Sequence, residues 1–103
     1  MASSPSTIVQ AEGLDAEFLC EDPAGTIDWK LNGTYLGNID SSDGSIRREG
    51  RGSTTEALVV RAMAKYNNTD IHCVIFYTNG DGTVTVEQSE PAKLIIQGEF
   101  KLI

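Results

Sequence analysis

Histidine is almost absent from this chain. His72 is the single one among 103 residues. A nucleophile–histidine pair needs a Ser or Cys within reach and a third group to orient the base. No pattern here supplies that set, and alternation places His72 on the outer face of a strand. It reads as a surface histidine, so the chain reads as non-enzymatic, with no catalytic residue and no cofactor. Cationic charge is also scarce. The chain has 8 Lys and Arg against 15 Asp and Glu, a net charge of −7. With no basic excess to displace counterions from phosphates, nucleic acid and anionic membrane surfaces are excluded as partners. No apolar run approaches the ~20 residues that a helix needs to span a bilayer, which argues against membrane insertion by this segment. No leader is visible at its start. Further domains and a transmembrane anchor in the native chain remain open.

Spacing for a metal is lacking too. Asp40-Ser41-Ser42-Asp43-Gly44 and Asn79-Gly80-Asp81-Gly82 invite a calcium reading. An EF-hand loop places oxygen ligands at its first, third and fifth positions, ahead of an invariant glycine. Taking Gly44 or Gly82 as that glycine puts Ile39 or Tyr77 in the first position. Turn chemistry accounts for both loops, since Asp and Asn bond nearby backbone and tolerate positive φ. No metal is expected.

What is present is alternation, with no stretch of helical period. Ala16, Phe18 and Cys20 share one parity, and Glu17, Leu19 and Glu21 share the other. Ile27 and Trp29 alternate with Asp28 and Lys30. Asn32-Gly33 is a strong hairpin signal before a return strand at Tyr35 and Leu36. Residues 37–54 are irregular and expected as mobile surface, where Ile46 could anchor a short strand beside arginines at 47, 48 and 51. Leu58 and Val60 point inward, and Met63 caps the following corner. Ile71, Cys73 and Ile75 face in, while His72, Val74 and Phe76 face out. Residues 78–82 make a glycine-rich hairpin loop, and Pro91 interrupts the strand that follows. Leu94 and Ile96 close the pattern on one face. Seven to nine short strands with a turn every ten or so residues predict an all-β antiparallel sandwich or barrel.

The length fits one domain, which buries roughly 60–70% of its unfolded surface. Its expected bounds are 5–97. Residues 1–4 read as expression leader residues. Residues 98–103 read as a vector-derived tail, because Glu99-Phe100 and Lys101-Leu102 are dipeptides that common cloning sites encode.

The two cysteines, Cys20 and Cys73, have two readings: a crosslink, or a pair of free buried thiols in a reducing compartment. A crosslink over so long a loop is worth about 4 kcal/mol in the chain-entropy account. The patterns Asn32-Gly33-Thr34 and Asn67-Asn68-Thr69 fit N-glycosylation acceptors and fall in expected turns. They favour an extracellular setting, at a cell surface or in secretions.

Glu12-Gly13, Cys20, Trp29, Leu58-Val59-Val60, Cys73 and the ending Pro91 to Gln97 together resemble the immunoglobulin superfamily, of the I-set or short V-set type. The resemblance covers about residues 5–97. It implies an immunoglobulin-like β-sandwich with one inter-sheet disulfide, Cys20–Cys73. The core would be Trp29, Phe18, Ile27, Leu58, Val60 and Ile71. One departure stands out. The tyrosine-corner position, two residues before the second cysteine, is Ile71, and Tyr66 is the nearby alternative.

The resemblance implies an extracellular module of a cell-surface receptor or adhesion protein. Protein recognition would run through the final hairpin and the outer sheet face, with a protein ligand that includes a second copy of the domain as a homophilic option. Candidate contact residues are Phe76, Tyr77, Asn79, Asp81, Arg47 and Arg48. Candidate glycosylation sites are Asn32 and Asn67. Other readings are a structural spacer in a multi-domain secreted or muscle-like protein, and a secreted ligand-binding immune-type molecule.

Overall fold

The computed structural model describes residues 5–22, 25–50 and 54–98. The expected leader, the tail beyond Gly98 and Arg51 lie outside the described residues.

Nine strands form two sheets among these residues. The first contains β1 (Ile8–Ala11), β9 (Ala92–Gln97), β7 (Thr69–Thr78), β3 (Thr26–Leu31) and β4 (Thr34–Tyr35) in that order, with β8 (Val84–Gln88) also paired to β7. The second runs β2 (Asp15–Glu21), β6 (Thr55–Arg61), β5 (Ile46–Glu49). Every pairing is antiparallel except β1 on β9, which is parallel.

Alternation decides which faces meet. Strand β2 is buried at every second residue, through Ala16, Phe18 and Cys20. Strand β3 does the same through Ile27, Trp29 and Leu31. All six expected core residues are buried, with Trp29, Phe18, Leu58, Val60 and Ile71 fully so. A slip of one residue in any of these strands would turn its apolar set to water, which fixes the register.

Cys20 on β2 and Cys73 on β7 form the expected disulfide between the sheets, with Cα atoms 6.2 Å apart. Trp29 lies opposite Cys73 in the β3–β7 register. The free-thiol reading is thereby set aside.

The chain crosses between sheets at Glu12–Leu14. The Glu12 amide donates to the Gln97 carbonyl of the first sheet, and the Gly13 amide to Ala62 beyond the end of β6. Gly13 has φ +91° there, a conformation that glycine adopts without a Cβ penalty.

Three details depart from the sequence reading. Leu36 does not extend a strand; it begins a 3-10 turn over Leu36–Asn38. Residues 46–49 form β5, the short strand that Ile46 could anchor, and its pairing to β6 puts Arg47 and Arg48 on a sheet rather than on mobile surface. Val74 has outward parity yet is fully buried, in register between Asp28 and Gln88 on the two flanking strands.

Pro91 interrupts pairing as its missing N–H requires, and β8 and β9 flank it. Ser89 keeps the break attached. Its amide donates to the Cys73 carbonyl at 2.9 Å, and its hydroxyl accepts from the Cys73 amide at 2.9 Å.

Tyr66 takes up the corner that Ile71 leaves. It is buried, with its hydroxyl 2.5 Å from Ser45 Oγ on the stretch leading into β5. Ser45 in turn donates to Asp43 Oδ1 at 2.6 Å. A phenol five residues before its usual place thus pins one corner to the opposite sheet.

Candidate functional site

The outer face of the larger sheet carries a cluster of exposed apolar side chains at the hairpin end. Thr26, Phe76 and Val86 lie side by side across β3, β7 and β8, and Thr78 lies opposite Val84. Val84 and Val86 are 58% and 53% exposed. The Tyr35 ring, from β4, sits 6.3 Å from the Phe76 ring at a 30° tilt. Lys30 places its ammonium 4.7 Å above the Tyr35 ring and donates to Gln88 Oε1 at 3.2 Å. Tyr35, Phe76, Val84 and Val86 therefore form an aromatic–aliphatic patch with a cation at its rim. Paired strands hold its backbone, so a partner would meet surface that is already ordered.

The hairpin beside this patch is built by its own polar residues. The Gly82 amide donates to the Asn79 carbonyl at 3.0 Å, and Gly82 has φ +86°. This is the type I turn closed by a left-handed glycine that favours short hairpin loops. Asn79 Nδ2 donates to Thr83 Oγ1 and Thr85 Oγ1, and Asp81 Oδ1 accepts from the Thr83 amide and hydroxyl. Those Thr83 hydrogen bonds hold the Asp81 carboxyl below the usual carboxylate range. Asn79 and Asp81 shape the loop as well as decorating it.

Tyr77 points the other way from Phe76. Its ring packs against the core and its hydroxyl donates to Asp22 Oδ2, while Asp22 Oδ1 accepts from the Gly25 amide at 3.0 Å. That hydrogen bond, then burial, pushes the phenol up to about 12. Asp22 is buried. It continues the inward parity of Phe18 and Cys20, which is the signal that marks it. Tyr77 anchors the base of the hairpin to the loop after β2.

The two arginines part company. Arg47 is exposed on the smaller sheet and pairs with Asp15 at 3.2 Å and Glu49 at 3.5 Å. Arg48 turns inward. Its Nε donates to Glu56 Oε2 at 2.9 Å, and its Nη2 donates to Glu56 Oε1 at 3.1 Å and to the Ile27 carbonyl at 2.9 Å. Neither arginine lies on the face that carries Phe76.

His72 is half-buried on the outer side of β7, in register with Lys30. Its Nδ1 has no hydrogen-bond partner among the described residues. No cluster of three or more His, Cys, Asp or Glu suited to a metal occurs among them either. A groove of about 260 Å³ opens at the far end of the sandwich, lined by Leu31, Ile39, Lys65 and Tyr66 among others.

No protein-family model matches the chain. No curated protein matches it by sequence. Solved structures match it by shape. Murine CRIg superposes with a TM-score of 0.67 at 13% identity, over 92% of this chain and 95% of that one. The titin domains z1z2, solved in complex with telethonin, give 0.65 at 20% identity, over 95% of this chain and 47% of theirs. A chicken TCR gives 0.67 at 16% identity, over 94% of this chain and 50% of that one. These are likenesses of fold. Two sheets in this strand order, joined by Cys20–Cys73 over a buried Trp29, make the chain an immunoglobulin-fold domain.

Proposed function

We propose that this domain is a recognition module that binds a protein through the outer face of its larger sheet, at the hairpin end. The observation that carries the reading is the patch of Val84, Val86, Phe76 and Tyr35 on paired strands, two of them large hydrophobics left more than half exposed. Exposed aromatic and aliphatic side chains on an ordered backbone are the usual anchors of protein interfaces. The net charge of −7 favours a partner with basic character around an apolar centre. The Cys20–Cys73 disulfide supports an oxidising setting, in secretions or at a cell surface, as part of a receptor or adhesion protein.

The test is a screen of the oxidised domain against a panel of displayed cell-surface proteins, repeated with Val86→Asp and with Leu19→Asp. Val86 lies within the patch, and Leu19 is 49% exposed on the other sheet. Loss of a ligand with Val86→Asp alone supports the reading. Binding that survives Val86→Asp and fails with Leu19→Asp overturns it.

A spacer role in a longer chain has one specific observation in its favour, the parallel clasp of β1 on β9 near the two ends of the domain. Absence of any ligand in the screen, with a strictly monomeric domain at high concentration, would favour that reading.

A further inference from the structure

The two acceptor patterns lie at the end of the larger sheet away from the Asn79–Gly82 hairpin. Asn32 opens the turn between β3 and β4 with φ +50°. Its side-chain Oδ1 accepts the Asp70 amide at 2.9 Å, and its own amide donates to the Asp70 carbonyl at 2.8 Å. Asn67 follows the 3-10 turn Ala64–Tyr66, and its Oδ1 accepts the Ile96 amide at 2.9 Å. Both asparagines are exposed. In each, the oxygen side of the planar carboxamide is tied to a strand, and Nδ2 is on the opposite side. A sugar on Nδ2 leaves Oδ1 an acceptor, so both cross-strand hydrogen bonds survive the modification.

Both sites sit at the Thr69 end of β7. Asn32 is bonded to Asp70, and Asn67 precedes the strand directly. The Asn79–Gly82 loop is at the other end, ten residues away along β7, or about 33 Å at ~3.3 Å per residue.

The hydroxyls of the two patterns differ. Thr34 is exposed. Thr69 is 4% exposed, and its Oγ1 donates to the Tyr66 carbonyl at 2.7 Å. The acceptor pattern includes that hydroxyl, so the closed sandwich hides part of the Asn67 signal.

We infer that Asn32 and Asn67 are both N-glycosylation sites, that their glycans project from the end of the sandwich opposite the Asn79–Gly82 hairpin, and that Asn67 is modified before the sandwich closes. The donor class is a lipid-diphosphate-linked oligosaccharide. Nδ2 forms a bond to C1 of the first sugar, and the bond from C1 to the diphosphate oxygen breaks. The lipid diphosphate leaves with the electron pair, and the Nδ2 proton passes to base.

The test is secretion of the domain from eukaryotic cells behind a cleavable leader, followed by intact mass and peptide mapping. Release of glycans by an amide-hydrolysing glycosidase in ¹⁸O-water marks each used site as an isotope-labelled acid, with no variant needed. The expected result is label at positions 32 and 67 and a mass above that of the polypeptide. Secreted protein without label at either position overturns the assignment. The timing is read separately, by offering folded, oxidised, unmodified domain and its reduced, denatured counterpart to an oligosaccharyltransferase with lipid-linked donor. Asn67 is expected to accept only in the denatured chain. Equal modification in both overturns that part.

Discussion

Trp29 and Glu56 are joined across the core: the indole Nε1–H donates to Glu56 Oε2 at 2.6 Å, from one sheet to the other. The same carboxylate is gripped by Arg48, which also reaches back to the Ile27 carbonyl. Glu56 is 2% exposed. The disulfide and this polar clasp are neighbouring ties between the sheets, since Cys20 lies opposite Glu56 and Cys73 opposite Trp29.

Removing Glu56 takes from Arg48 its 2.9 Å partner, leaving Asp28 at 3.5 Å, and strips the buried Trp29 indole N–H of its acceptor. Glu56→Leu alone, or Arg48→Met alone, is expected to lower stability by up to about 3–5 kcal/mol. The paired replacement Arg48→Met with Glu56→Leu is expected to recover much of that loss, because both charges go together. Urea denaturation of the singles and the double reads the coupling. Additive losses would show that the two side chains do not act as a unit.

Gly25 is expected to reject any side chain. A Cβ there would lie 2.2 Å from Ile75 Cγ2 and 3.3 Å from the Phe76 carbonyl oxygen. Ile75 is fully buried and has little room to yield. Gly25→Ala should therefore lower stability by ~1–3 kcal/mol, the usual cost of overpacking. A thermal melt against Gly37→Ala, where a Cβ meets nothing within 4 Å, provides the comparison.

Tyr77 sets an alkaline limit. Its folded phenol, raised to about 12 by the Asp22 hydrogen bond and then burial, keeps its proton where an unfolded tyrosine near 10 gives it up. The folded state then binds more protons, so stability is full below pH ~10 and falls as pH rises toward 12. Tyr77→Phe should remove that decline. Denaturation midpoints at stepped alkaline pH, with phenolate absorbance at equilibrium, measure both halves.

Asp43 sets the opposite limit. Lys65, at 2.7 Å, and then Ser45 hold its carboxyl well below the ordinary value of 3.8. The contribution is present above pH ~4 and is lost as pH falls through the depressed folded value. Asp43→Asn should flatten the acid limb of the stability profile and, because the same hydrogen bond raises Lys65, should also remove the Lys65 contribution on the alkaline side. An acid limb identical to the parent's would remove Asp43 from the account.

Much of this architecture was legible because a sheet face repeats every two residues. Phe18, Trp29, Leu58 and Ile71 declare their side of the sandwich by parity alone, and Pro91 marks the break between β8 and β9. Parity also held the signal for Glu56, which shares a side with Leu58 and Val60, and for Asp22, which continues Phe18 and Cys20. Charge overrode it, since carboxylates are normally exterior. Their partners, Arg48 and Tyr77, come from distant strands, and no local pattern announces such a meeting. Val74 shows the converse: outward parity says which face a side chain leaves, not how much of it water reaches. The patch at Phe76 and Val86 was readable from β7 and β8, whereas the Tyr35 ring that completes it depended on β4.

The parallel clasp of β1 on β9 governs how the domain answers tension. Drawing its two ends apart drags these strands lengthwise past each other, because they run in the same direction. The hydrogen bonds between Ile8–Ala11 and Leu94–Gln97 then carry the load together, not one after another as in a peeled hairpin. Force applied along the chain is therefore carried by a mechanically resistant link.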